Sequence, residues 1–405
     1  MIDTGSTGFM LLACSLVMLM TPGLAFFYGG LATKRNILAI MIQSFASLGW
    51  TTVLWFAFGY SLCFSGGVGG IMGNLDKAFL HGVSTTSMYT NGKIPESVFI
   101  AYQMMFAIIT PALITGAFVN RVTFKSYLIF LTAWQILVYY PFVHMIWGGG
   151  LLAQWGVIDF AGGIVVHATA GFAALASVIF VGARVNKNST PNSIPLVAIG
   201  SGLLWFGWYG FNAGSEVAVD FITSTAFLNT DVAASFATIA WVVVEWIHLK
   251  RPKFVGLLTG SIAGLAAITP CAGYVPLWAA PIIGTAAGLI CYLAVQWKNR
   301  MHWDDALDVW GVHGIGGVLG TLLLGVFASK SVNSTGADGL LSGNSSFFFK
   351  ELVAVAFAAA YAFIFTYIML ALINLITRVR VSEAEEQLGL DVALHGEKAY
   401  DEGAL

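Results

Sequence analysis

The chain has 405 residues, of which 58% are apolar and only 9% charged, and its mean hydropathy is +0.82. That balance excludes an ordinary soluble globular protein, so length here counts membrane crossings rather than soluble domains. A formal net charge of -2 and the lack of any basic run give no sign of a nucleic-acid partner. The four cysteines (Cys14, Cys63, Cys271, Cys291) are scattered without C-x-x-C pairing, which argues against a disulfide frame or a cysteine metal site.

A helix needs about 20 mainly apolar residues to cross the hydrocarbon core. Eleven segments meet that requirement: 9–31, 38–64, 98–119, 127–147, 162–181, 194–211, 226–247, 254–271, 275–295, 309–327 and 352–376. Their length excludes a membrane β-barrel, whose strands need only about 9–11 residues. The seventh carries the ionisable Asp231 near its start. Ahead of the first segment, "MIDTGSTG" carries Asp3 and no lysine or arginine, unlike the basic start of a signal peptide.

Basic residues alternate between the connections. Lys34, Arg35, Arg121, Lys125, Arg184, Lys187, Lys250, Arg251, Lys253, Lys298, Arg300, Arg378, Arg380 and Lys398 follow odd-numbered segments, and only Lys77, Lys93, Lys330 and Lys350 fall on the other side. The positive-inside rule then predicts an external N-terminus, a cytoplasmic C-terminus and a multi-pass protein of the cell membrane.

Polar and aromatic residues mark where chemistry lies along these segments. In the third, "AYQMMFAIITPALITGAF" sets Tyr102 and Phe106 four apart on one helix face. The fourth ends in "HMIWGGG" with Trp147, and Asp159 in "DFAGGIVVH" precedes the fifth, where a carboxylate can cap the helix N-terminus. The fifth carries His167, and the sixth ends in "GWYGFNAGS" with Phe211 and Ser215. Asp308 in "DVWGVHG" opens the tenth, which carries His313, and is read as its cap. Aromatic rings attract small cations by about 0.5–2 kcal/mol, and a hydroxyl can accept a hydrogen bond from one. Rings and a hydroxyl at three outer ends therefore predict a cation vestibule, against the plainer reading of interfacial anchors.

An ionisable residue costs about 2.5–3.5 kcal/mol at a helix centre on insertion scales, so it faces a partner or a cavity. Val166, His167 and Gly171 repeat as Val312, His313 and Gly317, in segments five and ten. Units of five segments must have opposite orientations, the inverted-repeat plan with a site between the halves. The two imidazoles are then expected to meet across a pseudo-two-fold axis. The alternatives are two core histidines each bonded to a carbonyl, or axial ligands of a haem, for which no third ligand shows metal spacing.

With these residues assembled, the chain resembles the ammonium transporter (Amt/Mep/Rh) family, on the prokaryotic Amt side, over nearly its whole length. The specific stretches are "TPGLAFFYGGLATKRN", "FAIITPALITGAFVNR", "HMIWGGGLL", "DFAGGIVVHATAG", "GWYGFNAGS" and "DVWGVHGIGG". The resemblance implies an all-α polytopic fold of eleven transmembrane helices, an inverted five-helix repeat over about 1–182 and 194–328, and a homotrimer. It implies an outer ammonium site at Phe106, Trp147 and Ser215 with Tyr102 nearby, where many relatives carry phenylalanine. It further implies a gate of Phe106 over Phe211, a pore with His167, His313 and Trp208, and Asp159 and Gln103 as structural or entrance residues. The substrate class is ammonium or ammonia, with methylammonium as analogue, and no cofactor, metal or enzymatic activity is expected.

Domain 1–377 lies in the membrane and residues 378–405 form a polar tail, in which Ser382 and Glu385 have capping-box spacing. "GLDVALHGEKAY" resembles the family tail that docks on cytoplasmic loops and couples to PII signal proteins, against the plainer reading of a mobile terminus. An ammonium sensor without transport, or an Rh-like neutral gas channel, are the competing functional readings.

Overall fold

Hydrocarbon offers no water to satisfy backbone amides, so a crossing segment must pair its own N–H and C=O groups along a helix. The computed structural model describes residues 2–67, 69–186 and 190–400, leaving Lys187 and the last five tail residues outside. Among the described residues ten helices are long and apolar enough to cross a membrane: α1 (Thr4–Leu31), α2 (Ile37–Phe64), α3 (Glu96–Ile114), α4 (Phe124–Trp155), α5 (Gly163–Val181), α6 (Ile194–Glu216), α7 (Phe221–Leu249), α9 (Ala279–Arg300), α10 (Trp310–Phe327) and α11 (Ser345–Ile376). The eleventh apolar helix, α8 (Phe254–Ile268), has only 15 residues. It stops short of the expected 271 because Pro270 has no amide to continue the ladder. The described residues contain no named strand, only isolated bridges at Met88–Pro95 and Val122–Arg380.

Several boundaries move for local reasons. α7 begins before the expected 226, because Asp220 caps it by accepting the amides of Ile222 and Thr223. Asp231 is accommodated inside that helix, where the Tyr209 hydroxyl donates to its carboxylate at 2.6 Å. α11 starts seven residues earlier than its apolar run, behind an Asn344 cap.

Helices α5 and α10 each begin with a buried aspartate. The first amides of a helix have no intrahelical acceptor, and a carboxylate there also complements the helix dipole. Asp159 accepts from Gly162 and Gly163 through Oδ1, at 2.8 and 2.7 Å, and from Ile164 and Val165 through Oδ2, at 2.8 and 3.1 Å. At α10 the cap is Asp305, accepting from Val309 at 3.1 Å and Trp310 at 2.7 Å. The expectation of Asp308 is therefore corrected: Asp308 has φ +60° and bonds the Lys298 ammonium at 2.5 Å. Each cap stands eight residues before its histidine, and each histidine lies in a π-helical turn, Gly163–Ala168 and Trp310–Gly314.

The antiparallel α5 and α10 cross through glycine. A Cβ on Gly171 would lie 2.1 Å from Gly314 Cα, and a Cβ on Gly317 would lie 2.7 Å from Ala168 N and 2.8 Å from His167 Cβ. Gly171 and Gly317 are the fourth residues after their histidines, and Gly314 and Ala168 are the first. The contact is thus reciprocal, as in a two-fold-related pair.

The tail closes one face of the bundle, on the side opposite Trp147. Ser382 caps a short helix, α12 (Glu383–Leu388), with Glu385 completing the capping box. Thr123 N donates to Val379 O and Val381 N to Arg121 O, each at 2.9 Å. Glu386 takes the Val185 amide at 2.7 Å, and Asp391 takes the Ala39 amide at 2.8 Å. The tail therefore ties together the connections after α1, α3 and α5. Beneath it, Asp304 receives Arg184 at 2.7 Å and lies 3.7 Å from the fully buried Arg121. Burial pushes the Asp304 carboxyl up, but the Arg184 hydrogen bond and the Arg121 charge outweigh it and hold it at about 2.

Gly171→Ala tests the crossing. The added methyl meets backbone, not a movable side-chain tip, so the two helices must separate; overpacking of this kind costs about 1–3 kcal/mol. The expected result is a lowered melting temperature of the detergent-purified protein, with an unchanged value showing that the contact is slack.

Candidate conduction site

On the Trp147 side, rings from three helices meet: Phe106 from the middle of α3, Trp147 from α4 and Phe211 from near the end of α6. Phe106 of α3 packs against Phe211 of α6, the rings tilted by 31° with centroids 4.2 Å apart. Trp147 stands edge-on to Phe106 at 5.7 Å and 87°, oriented by its indole N–H, which donates to Asp159 O at 2.8 Å. Phe106 and Phe211 are both 1% exposed, so the pair is buried beneath Trp147.

Ser215 sits on the partly exposed side of that pair. Its hydroxyl donates to Phe211 O at 2.9 Å, which spends its one hydrogen and leaves oxygen lone pairs to accept. Tyr102 is fully buried behind it: its hydroxyl reaches Gly210 O at 2.8 Å, Phe211 O at 2.9 Å and Ser215 Oγ at 3.3 Å. Tyr102 thus braces the end of α6 from behind.

Beyond the phenylalanines lies a narrow cavity of about 20 Å³, counted as space for the centre of a water-sized molecule. It is roofed by Phe211 and lined by Met20, Leu24, Phe27, Ile109, Leu113, Val166, Leu204, Trp208 and Ile262, with Tyr28, His167 and His313 supplying its polar atoms. His167 and His313 meet with Nδ1 atoms 3.2 Å apart and ring planes 18° apart. Their centroids lie 5.3 Å apart, farther than the nitrogens by nearly two ring radii, so the rings meet edge to edge. His167 Nε2 is buried with no hydrogen-bond partner. Trp208 lies nearly parallel to the His167 ring at 5.5 Å and is pinned by its N–H bond to Thr269 Oγ1 at 2.9 Å.

His313, Tyr28, Phe27 and Ile262 are shared with a second cavity of about 140 Å³ toward the tail face, whose mouth carries Arg184 and Asp308. His313 therefore lines both a narrow, almost wholly apolar cavity and a wider one of mixed polarity.

The structure brings together Tyr102, Phe106, Trp147, Phe211 and Ser215 as one group, and His167, His313 and Trp208 as the next. It does not bring Gln103 to the cavity wall; that side chain is 9% exposed and its Oε1 is buried without a partner. Asp159 has no free role at an entrance, since both carboxylate oxygens are taken by the amides of α5. Tyr28 and Asp305 went unmarked in the sequence. The eight-residue interval from Asp159 to His167 recurs from Asp305 to His313 and would have revealed the second. Tyr28, one tyrosine among 13, has no comparable local signal.

The ammonium transporter family model matches residues 8–400. An ammonium transporter of Bacillus subtilis is 44% identical over 98% of this chain and 99% of its own length. The crystal structure of Candida albicans Mep2 superposes with a TM-score of 0.90 at 35% identity, covering 100% of this chain and 92% of Mep2. A solved sensor Amt protein gives a TM-score of 0.88 at 29% identity, over 95% of this chain and 96% of its own. Likeness of this extent, end to end in sequence and in the course of the helices, makes the chain a member of the ammonium transporter family.

Proposed function

We propose that the protein carries ammonium across the cell membrane by holding the cation at Trp147 and Ser215, removing a proton, and passing ammonia along the histidine cavity. The observation that carries this reading is the edge-to-edge histidine pair, with an unpartnered Nε2, inside an otherwise apolar cavity. In this reading the Trp147 side is external and the tail face cytoplasmic, in line with the distribution of basic residues.

The physics favours a neutral passenger. A volume of about 20 Å³ holds about one water-sized molecule, so a cation entering it leaves its hydration shell behind. An isolated charge in such surroundings is far more costly than a polar neutral molecule, which costs about 2–7 kcal/mol when unpaired. The histidines supply pairing for the neutral form. A single hydrogen lies between the two Nδ1 atoms, so the ring that donates it has a bare Nε2 and its partner carries an Nε2–H. The cavity thereby offers ammonia one acceptor and one donor; uptake of a proton at the bare Nε2, transfer of the shared hydrogen to the other Nδ1 and loss of that ring's Nε2–H would move one proton across the pair and leave both rings neutral.

Selection against potassium begins at the vestibule and is completed in the histidine cavity, since potassium has no proton to give up. Potassium has no hydrogen to donate, whereas ammonium gives one to the lone pairs that the Ser215–Phe211 bond leaves open. Asp159 and Tyr102 act as positioning groups, the first aiming α5 and Trp147, the second bracing Phe211 and Ser215. We also infer, from the family resemblance, a homotrimer and a PII-type partner at the tail face; docking there would act on the connections that the tail bridges.

A second reading, an ammonium sensor, is favoured by the likeness to the sensor Amt protein. Methylammonium uptake into proteoliposomes decides between them, with uptake above protein-free vesicles expected and binding without uptake assigning the sensor.

Two substitutions test the parts. Ser215→Ala removes a charge-assisted hydrogen bond of about 1.5–3 kcal/mol, so the apparent affinity for ammonium should fall by about tenfold or more; an unchanged value removes Ser215 from the site. His167→Ala with His313→Ala should abolish methylammonium uptake or admit potassium, and unaltered flux and selectivity in that double variant reject the proposed pore.

A further inference from the structure

Next to the vestibule, on the same side of the bundle, lies a cavity of about 330 Å³ that the conduction path does not use. Its walls are the rings of Tyr60, Phe64, Tyr89, Phe99 and Trp147. Tyr89 and Phe99 stack at 3.9 Å and 18°, and Phe64 stands edge-on to Phe99 at 5.0 Å, so the walls brace one another. Trp147 is common to this cavity and to the vestibule.

The polar floor is Glu96, at the start of α3. Its Oε1 accepts the Tyr60 hydroxyl at 2.7 Å and the Lys77 ammonium at 2.5 Å. The Lys77 nitrogen also lies 5.6 Å from the centre of the Tyr60 ring. A carboxylate with an aromatic face beside it is the chemistry that recognises an ammonium head group, through a charge-assisted hydrogen bond and the ring quadrupole. Here the head group belongs to the chain itself. The Glu96 side chain is 10% exposed and the Lys77 side chain 34% exposed, so the carboxylate is the fixed element and the lysine the one open to solvent.

We propose that this cavity is a second cation site for the ammonium class, ammonium or a primary alkylammonium, occupied in this structure by the tethered ammonium of Lys77. Free ammonium presents the same N–H donors without a tether, and takes the place of Lys77 when that side chain swings to solvent. The walls also suit a methyl group, so methylammonium is the appropriate probe. The shared Trp147 puts a cation held at Glu96 directly beside the vestibule. Its placement as a loading site rests on the vestibule reading, whereas binding at Glu96 does not.

Crystals of the full-length Lys77→Ala protein grown in methylammonium chloride test the proposal, with Lys77→Gln, which keeps most of the side-chain stem, as a second variant should the first not fold. The expected result is one methylammonium with its nitrogen within hydrogen-bond distance of Glu96 Oε1, replaced by water in crystals grown in sodium chloride and lost when Glu96→Gln is added. Water alone at Glu96 in saturating methylammonium overturns the proposal and leaves the Lys77–Glu96 pair as a loop anchor. The readout is independent of flux: bound methylammonium in a protein that shows no uptake supports this site while counting against the transport reading.

Discussion

The close approach of α5 and α10 is the constraint on which the interior depends. Two imidazoles reach 3.2 Å only because glycines let one backbone lie against the other, Gly171 on Gly314 and Gly317 on Ala168. Small residues serve this purpose in membranes generally, since lipid supplies no hydrophobic drive for helix pairing and packing contact must replace it. The reciprocity of the contact has a further effect. Each histidine stands one residue from a crossing contact and four from the other, so the geometry that fixes one ring fixes its partner.

Both histidine-bearing helices are aimed by a buried carboxylate at their N-terminus. Asp159 and Asp305 satisfy amides that would otherwise be orphaned where water is scarce. A buried carboxylate that already accepts four hydrogen bonds has little capacity left for a passing cation. The same charge does its work through the backbone, holding the π-helical turns that carry the rings. Irregular helix geometry is tolerated at membrane depth where it is packed in protein or lines a cavity, and here it does both.

In the proposed mechanism, cation recognition and neutral conduction are thereby separated in space. Polar lone pairs and partly exposed rings lie on the Trp147 side of the paired phenylalanines, and an apolar tube with two ring nitrogens lies beyond them. In the proposed mechanism the phenylalanine pair marks where the hydration of a cation is lost, and the histidine pair supplies the hydrogen bonds and the proton path that let the passenger continue as a neutral molecule. The aromatic cavity at Glu96 places a further carboxylate on the cation side of that boundary.

The apolar runs by themselves determined ten membrane-length helices and an eleventh, shorter apolar one, because the length of an apolar run is written locally in each segment. The capping box at Ser382 was legible for the same reason, since four residues of sequence contain the whole hydrogen-bonded unit. The V-H-x-x-x-G repeat also showed which two residues are equivalent. Only the tertiary structure decided that they touch, as their contact joins atoms 146 residues apart through a glycine crossing whose register no local period encodes. The same limit explains why Asp308 was read as the cap in place of Asp305: a positive φ at Asp308 turns that side chain toward Lys298, outside the helix it precedes. Gln103 and Tyr102 are neighbours in sequence, yet only Tyr102 reaches Ser215, because adjacent residues on a helix point about 100° apart and packing alone selects which faces inward.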